Sequence, residues 1–371
     1  MTMTMEYTDV EGIMFRDRAL LPVWERVRTG KRLSEEDGVT LFESPDFISV
    51  GHMADWKKRQ QSGDYVYFVF NRQVNPTNLC VLSCKFCDFA KKKGDEGAYE
   101  MSMDQILGML NDEMHEVHIV GGHHPDWPFE HYLNIVKTIH EKFPNMQIKA
   151  FTAAEFDYFE KRWKVPVAEA MARLKEVGLR ALPGGGAEVF SDRVRKILFP
   201  GKAGYTRWLE IHRTAHKMGL RSNATLLYGH IETFEERIRH MMMLRELQDE
   251  TGGFFSFIPL EYQIGDTHLV PRQASAIDNL RTIAASRLML DNFPHIKAYW
   301  IMMSEEAACM ALNFGADDMD GTIGKELIAH AAKASSPVGL AKEHLVRLIR
   351  DAGKIPVERD AMYNHVKVYA D

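Results

Sequence analysis

Cysteine is scarce in this chain, and its scarcity excludes a fold built on disulfides. Only four cysteines occur in 371 residues, and no apolar run approaches the roughly 18 residues that a membrane helix needs. The amino terminus, MTMTMEYTDV, does not show the basic and then apolar pattern of a secretory signal. We therefore expect a cytoplasmic protein that makes no membrane contact and whose thiols stay reduced.

An excess of basic residues is also absent. The chain has 46 lysines and arginines against 52 acidic residues, which gives a formal net charge of -6. Nucleic-acid binding needs a concentrated basic surface, and the one lysine cluster, AKKKGDE at 90–96, runs directly into acidic residues. The composition therefore predicts an ordinary globular protein without a nucleic-acid partner.

What the sequence does contain is a regular alternation of β-branched or aromatic runs with stretches of helical periodicity. The runs cover residues 65–75, 116–122, 147–153, 180–186, 221–229, 254–262, 296–303 and 315–322. Eight strand–helix units over roughly 250 residues predict an α/β fold of the closed (β/α)8 TIM type. The eighth run, GADDMDGT, is poorly β-like, and without it the sheet would be an open barrel of six or seven strands.

The alternation also predicts three regions. Residues 1–64 form a helical N-terminal extension, with a helix starting at Ser34 before the acidic EED. Residues 65–335 form the barrel, and residues 336–371 form a C-terminal helical segment packed on it.

Residues suited to chemistry lie where the predicted strands end. The first run is followed by three cysteines, the second by GGHHPD, the third by TAAE and the fourth by PGGGAE. In a barrel of this type the carboxyl ends of the strands and the loops after them form the active site. We therefore expect these segments to meet in one place.

The three clustered cysteines are Cys80, Cys84 and Cys87, in the order CxxxCxxC. A structural zinc site and a ferredoxin-type cluster each use four protein ligands, and Cys309 lies in a helical stretch typical of a core thiol. Three thiolates suit an iron–sulfur cubane whose fourth iron is left open for a ligand. Zinc binding and a chance grouping of cysteines are the alternatives.

This motif, with Phe86 before the last cysteine, resembles that of the radical S-adenosylmethionine (SAM) superfamily. The resemblance implies a [4Fe–4S] cluster on the three cysteines and SAM bound beside it as co-substrate. The positions that it assigns to the cofactor are Phe86, Asp88, Gly121, Gly122, Gly185, Glu188 and Arg193. A tight turn is the alternative for the paired glycines, and the triple glycine lacks the spacing of a P-loop or dinucleotide loop.

Longer segments narrow the resemblance. GGHHPDWPFEHYL, IKAFTAAE, LPGGGAEVFSDRVRKILFPGK and DNFPHIKAYWIMM resemble the radical SAM enzymes of the futalosine route to menaquinone, from about residue 12 to near the C-terminus. The resemblance implies a transferase that forms a carbon–carbon bond between the adenosyl group and a small aromatic carboxylate. It also implies a reducing partner such as flavodoxin or ferredoxin. The radical cyclase of the same route and a non-catalytic iron–sulfur protein remain as alternatives.

Other site candidates follow from their places at strand ends. Glu155, His230, Glu232 and Tyr299 are predicted catalytic residues, and His124 and Lys297 are predicted to bind the substrate carboxylates. Each has an alternative role in barrel packing or an ion pair. The chain departs from the family pattern at His123, in residues 260–269 and in residues 302–309.

Overall fold

The computed structural model describes residues 8–10 and 12–370. The strands in this part are β1 Thr8–Val10, β2 Ile13–Phe15, β3 Tyr65–Val69, β4 Asn71–Val74, β5 Glu116–Ile119, β6 Gln147–Ala150, β7 Leu179–Leu182, β8 Arg221–Tyr228, β9 Phe254–Glu261, β10 His295–Ile296, β11 Asp318–Gly321, β12 Ile355–Arg359 and β13 His365–Val368. The helices are α1 Leu20–Arg28, α2 Glu35–Glu43, α3 Phe47–Ser62, α4 Met103–Leu107, α5 Phe129–Lys142, α6 Ala153–Trp163, α7 Val167–Glu176, α8 Asp192–Leu198, α9 Tyr205–Lys217, α10 Phe234–Thr251, α11 Ala276–Met289, α12 Trp300–Met303, α13 Glu305–Ala311, α14 Ile328–Ala331 and α15 Lys342–Asp351.

Seven parallel strands form the main sheet, in the order β10-β9-β8-β7-β6-β5-β4. Strands that are neighbours in the sheet are also consecutive in the chain, and helices connect them. This is the strand order of a (β/α) barrel. Val117 and Ile119 on β5 are fully buried, as are Ile135 and Ile139 on α5. The apolar core therefore includes both a strand and the helix that follows it.

The eighth predicted strand is present as β11, which pairs with β3 in a separate sheet and lies between the two edges of the seven-stranded sheet. Lys297, directly after β10, forms a parallel bridge with Asp318 on β11. On the other side, the Gln73 N–H on β4 donates to the carbonyl of Ile323, just beyond β11, at 2.8 Å. The fold is therefore an α/β fold of the TIM type, in which the main sheet is a curled seven-stranded parallel half-barrel and β11 contacts both of its edges through few hydrogen bonds.

The first predicted run, residues 65–75, is divided between two sheets. Only β4 belongs to the barrel, whereas β3 pairs with β11 and β12 in a separate sheet of order β11-β3-β12-β13. The C-terminal segment also differs from the expected helices, since α15 is followed by β12 and β13. Pro356, the second residue of β12, is unfavourable inside a helix, and the neighbouring Ile355 and Val357 favour a strand.

The interior of the barrel is polar rather than aliphatic. Ion pairs with buried charges fill much of it: Lys149 with Glu116 at 2.6 Å, Lys297 with Asp320 at 3.0 Å and Arg359 with Asp318 at 2.7 Å. Charges this deeply buried persist only when they are paired, as all of these are. The lower part of the barrel is therefore a neutral network of charges beneath the loops that carry the cysteines.

Candidate active site

A cavity of about 290 Å³ opens where the barrel strands end. It collects residues from the loops after β4, β5, β6 and β7 and from the ends of β8 and β9. Its polar lining consists of the three clustered cysteines together with Asn71, Gln73, Asp88, His118, His123, Thr152, Glu155, Glu188, Lys202, Thr225, Tyr262, Gln263, Tyr299, Asp320 and Glu326. The segments that the sequence placed at strand ends therefore do meet in one cavity.

The cysteine loop presents alternate residues to the cavity and to the surface. Cys80, Leu82, Cys84, Phe86 and Cys87 line the cavity. The intervening residues at positions 81, 83 and 85 are exposed on the outside of the molecule. One thickness of backbone therefore separates the thiols from the surface.

Backbone hydrogen bonds hold this loop against its neighbours. The Cys80 N–H donates to the Lys91 carbonyl at 3.0 Å, and the N–H of residue 81 donates to the His123 carbonyl at 2.9 Å. The Lys85 N–H donates to the Leu198 carbonyl at the end of α8 at 2.7 Å. The loop is therefore anchored to two other barrel loops although it contains no regular secondary structure.

Lys202 sets the electrostatics around the thiols. Burial raises the pKa of Cys84 to about 11, and the nearby Lys202 ammonium acts in the opposite direction. Burial lowers the pKa of Lys202 itself, but Glu188 and the negative charge of Cys84 and Cys87 together outweigh that effect and raise it. A permanent cation beside the cysteines favours the thiolate form that binds metal.

The three thiols fit a [4Fe–4S] cluster better than a single ion. They lie on the cavity side of one loop, near enough to influence one another's charge. In residues 8–10 and 12–370, no three His, Cys, Asp or Glu side chains converge as they would on one ion. A cubane does not require such convergence, because each thiolate binds a different iron.

Glycines after β5 and β7 are needed for close packing at the edge of the cavity. A Cβ on Gly122 would lie 2.1 Å from the Leu79 carbonyl oxygen. Gly184, at a φ of +86°, has room for no side chain, since a Cβ would lie 2.3 Å from the Asn223 carbonyl oxygen. Gly185 lines the cavity and has more space. The turn therefore serves both packing and access to a ligand.

Glu155 lies in the same cavity at the start of α6. Its carboxylate accepts hydrogen bonds from the Thr152 N–H at 2.7 Å and from the Thr152 hydroxyl at 2.8 Å, which forms a capping box. Burial nevertheless raises the pKa of Glu155 to about 7. The carboxyl group can therefore gain or lose a proton near neutral pH.

Part of the lining comes from the strands themselves. Gln73 on β4 and His118 on β5 are register partners, and Asp320 comes from β11. Burial lowers the pKa of His118 to about 4, so its imidazole is neutral, and its Nε2 has no hydrogen-bond partner within the described part of the chain. This group can receive a polar ligand.

The predicted site residues divide into two groups. The three cysteines, Phe86, Asp88, Gly121, Gly122, Glu155, Gly185, Glu188 and Tyr299 all line the cavity. The cavity lining does not include His124, Arg193, His230, Glu232 or Lys297.

Each residue of the second group has protein partners. Arg193 pairs with Glu236 on α10. Lys297 reaches the cavity only through Asp320, to which it donates at 3.0 Å.

The remaining three residues stabilise loops. His124 accepts the Asp126 and Trp127 N–H groups through Nδ1 and stacks on the Trp127 ring. Glu232 accepts the N–H groups of Gly229 and His230, which fixes the turn after β8. These contacts hold the walls of the site.

Sequence reasoning missed Lys202, His118 and Asp320. Lys202 is the last residue of the segment LPGGGAEVFSDRVRKILFPGK, which resembles the family but assigns this lysine no role, and only the fold brings it beside the cysteines. His118 and Asp320 did carry a signal, because each is a polar residue inside a strand run, in EVHIVGG and GADDMDGT. A charged or polar residue at an inward position of a barrel strand indicates a cavity or an ion pair.

Matches to known protein families agree with the family resemblance that the cysteine motif indicated. Residues 74–244 match the Radical SAM superfamily, and residues 251–371 match the CofH/MqnC C-terminal region. None of the helices in the described part of the chain has the length and apolar composition of a membrane-spanning segment.

Curated proteins of more than one activity match the chain over almost its whole length, among them the following two. The aminodeoxyfutalosine synthase of Thermus thermophilus is 46% identical over 363 residues, which cover 95% of this chain and 98% of that protein. The cyclic dehypoxanthine futalosine synthase of Streptomyces coelicolor is 35% identical over 361 residues, which cover 95% of this chain and 90% of that protein.

Among solved structures, methylornithine synthase has a similar fold. Its TM-score is 0.72 at 17% identity, and the match covers 91% of this chain and 97% of that one. At this identity the likeness concerns the fold alone.

Proposed function

Because the chain belongs to the radical SAM superfamily, we propose that it acts as an aminodeoxyfutalosine synthase. The observation that carries this proposal is a three-cysteine loop facing a cavity, in a chain 46% identical to such a synthase over nearly its full length. The identity to the cyclase of the same route is lower, at 35%. The cyclase remains the second candidate.

The reaction joins the 5′-deoxyadenosyl group of SAM to the enol-ether carbon of 3-[(1-carboxyvinyl)oxy]benzoate. The aryl C–O bond breaks, and one carboxylate is lost and takes up water, so the products are 6-amino-6-deoxyfutalosine, methionine and bicarbonate. When bound, the [4Fe–4S] cluster supplies the electron that splits SAM into methionine and a 5′-deoxyadenosyl radical. The protein contributes binding, orientation and exclusion of water.

Cys80, Cys84 and Cys87 would hold the cluster. Glu155 and Glu188, which face the same cavity, are acceptors suited to the ammonium or hydroxyl groups of SAM. The Lys202 ion pair fixes the Glu188 carboxylate in position.

The substrate carboxylates need donors, and the cavity offers mostly neutral ones. Lys202 is the lysine of the lining, and it is already paired. Gln73, His118 and Tyr299 line the same cavity and can donate hydrogen bonds to a carboxylate. Lys297 neutralises Asp320 beside them, so that pair does not repel an anion.

Apolar side chains complete the lining. Leu227, Ile258, Leu260, Met302 and Ile323 surround the polar groups. They exclude water from the cavity in which the reacting groups meet. We place the reaction in the cytoplasm, where thiols stay reduced and a low-potential carrier such as flavodoxin or ferredoxin can supply electrons.

The test follows the adenosyl carbon. The anaerobically reconstituted protein receives SAM labelled at the 5′ carbon, a reductant and the enolpyruvyl benzoate. We expect the label in aminodeoxyfutalosine, with one SAM consumed per product. Label found only in 5′-deoxyadenosine, together with conversion of dehypoxanthine futalosine to a cyclic product, would establish the cyclase instead.

A further inference from the structure

The outside of the cysteine loop is exposed although its inside lines the cavity. Val81 is 43% exposed, and Ser83 and Lys85 beside it are exposed as well. The end of α8 continues this surface, because the Lys85 N–H is bonded to the Leu198 carbonyl. Ile197, on the same turn, is also 43% exposed.

The charge of this region is opposite to that of the whole chain. Residues 80–93 and 193–202 contain eight lysines and arginines and one acidic residue, Asp88, although the chain has a net charge of -6. Four of the eight are paired with carboxylates, namely Lys93 with Asp126, Arg193 with Glu236, Arg195 with Asp192 and Lys202 with Glu188, so the unpaired charge lies on the remaining four lysines. Lys85 and Lys196 are exposed and form no salt bridge with any residue that the structure describes. Lys92 is exposed too, and its ammonium donates to the carbonyls of Cys80 and Leu82.

We propose that this outer loop surface, formed by Val81, Ser83, Lys85, Lys92, Lys196 and Ile197, docks an acidic electron-carrier protein. The inference rests on the proposed function, which requires a cluster on the three cysteines and an electron from outside. Exposed and cavity-lining residues alternate along this loop, so a protein bound on the outside contacts the direct chain neighbours of the cysteines.

Charge and apolar exposure at this surface suit transient docking. Lysines that face the carboxylates of a carrier increase the association rate and orient the partner. Their effect on the affinity of the complex is smaller. The exposed Val81 and Ile197 provide the apolar contact found within protein interfaces. The redox step passes one electron from the reduced carrier to the cluster, with no bond made or broken.

The first test is the rate of cluster reduction by flavodoxin hydroquinone, followed by anaerobic stopped-flow absorbance. Lys85→Glu/Lys196→Glu is compared with Lys137→Glu/Lys217→Glu, a control pair of exposed lysines on α5 and α9. At low ionic strength we expect flavodoxin to reduce the first variant at least about tenfold more slowly than the wild type. The control variant should be reduced at nearly the wild-type rate. Added salt should lower the rate at which flavodoxin reduces the wild type, and it should reduce the difference in rate between the wild type and the Lys85→Glu/Lys196→Glu variant.

Reduction by dithionite separates docking from damage to the cluster. We expect all three proteins to react with dithionite at the same rate. If dithionite also reduces the loop variant slowly, or if flavodoxin reduces it as fast as the wild type, the docking surface is wrong. Dithionite-driven product formation tests the proposed function separately, since it needs no carrier.

Cross-linking locates the contact without any substitution. A carbodiimide joins a carrier carboxylate to a lysine that touches it, and mass spectrometry identifies the lysine. Links at Lys85, Lys92 or Lys196 are the expected result. Links confined to other lysines would overturn the assignment.

Discussion

Cys80, Cys84 and Cys87 differ from Cys309 in what surrounds them. The three clustered thiols face the cavity near Lys202, whereas Cys309 lies on α13, where its thiol contacts the Leu348 carbonyl at 3.7 Å. Burial raises the pKa of both Cys84 and Cys309 to about 11, but Lys202 opposes this effect at Cys84, whereas the charged groups Asp351, Glu305 and Glu306 add to it at Cys309. The sequence pattern separated these two environments correctly because the cysteine spacing is local.

Replacing any one of the three loop cysteines should prevent assembly of the cluster. Cys80→Ala, Cys84→Ala and Cys87→Ala should each lose most of the bound iron and all SAM cleavage after reconstitution. Cys309→Ala is the matched control and should keep both. Iron analysis and the near-ultraviolet to visible absorbance check this, and full iron content in a loop variant would refute the ligand assignment.

Glu261, at the end of β9, has a pKa that couples stability to pH. Burial raises the pKa from 4.5 to about 7, although Gln273 and Asn279 donate to the carboxylate. Because the folded protein holds this proton more tightly than the unfolded chain, the resulting stabilisation is complete below pH 4.5. It is lost as the pH rises through about 7.

Comparing Glu261→Gln with the wild type isolates this contribution. The variant has no proton to lose at this position, whereas the wild type loses stability as Glu261 ionises. Between pH 4.5 and 8 the unfolding free energy of the variant should therefore rise relative to that of the wild type by up to about 3 kcal/mol. Urea unfolding across this range measures the gap, with the exposed Glu246→Gln as control. A gap that stays constant with pH would show that folding does not raise the pKa of this carboxyl group.

At the scale of elements, the turn after β7 contains two glycines with different roles, one in packing and the other in ligand contact. Gly184 needs its left-handed backbone and its missing side chain, whereas a Cβ on Gly185 would lie 3.1 Å from Thr152 Cγ2. A methyl group at Gly185 therefore requires only a small shift, and it points at a residue of the cavity wall.

Gly184→Ala and Gly185→Ala should therefore fail in different ways. Gly184→Ala should lower stability by more than the about 1–2 kcal/mol that a left-handed backbone costs, because the new Cβ also meets the Asn223 carbonyl oxygen. Gly185→Ala should fold nearly normally and bind SAM more weakly. Thermal unfolding and calorimetric titration of SAM measure the two effects. Equal SAM affinity for the wild type and Gly185→Ala would make the turn purely structural.

Strand periodicity predicted the barrel strands, but it could not assign strands to sheets. Residues 65–75 read as one apolar run, yet β3 and β4 belong to different sheets. The partners that separate them, β11 and β12, lie about 250 or more residues further along the chain. Pairing over such distances has no local signal.

The whole molecule depends on contacts between its C-terminal segment and the barrel. Arg359 on β12 is fully buried and reaches Asp318 on β11, and it also acts on the charge of Glu116 on β5. Tyr363 stacks on His295 with ring centroids 3.9 Å apart. Sequence patterns predicted that this segment packs on the barrel, but not that it completes the charge network inside it.

Breaking the Arg359–Asp318 pair should therefore destabilise the whole fold. Arg359→Leu leaves the Asp318 carboxylate buried and unpaired, which should cost about 3–5 kcal/mol in unfolding free energy. Asp318→Asn removes the charge but keeps an oxygen that can accept the Asp320 N–H, as Asp318 now does.

If the cost comes from the unpaired charge, the double variant should be more stable than the sum of the two single effects implies. The coupling should be at least about 1 kcal/mol, measured by urea unfolding of the four proteins. Strictly additive effects would mean that the two charges do not interact, and that β12 stabilises the barrel through packing alone.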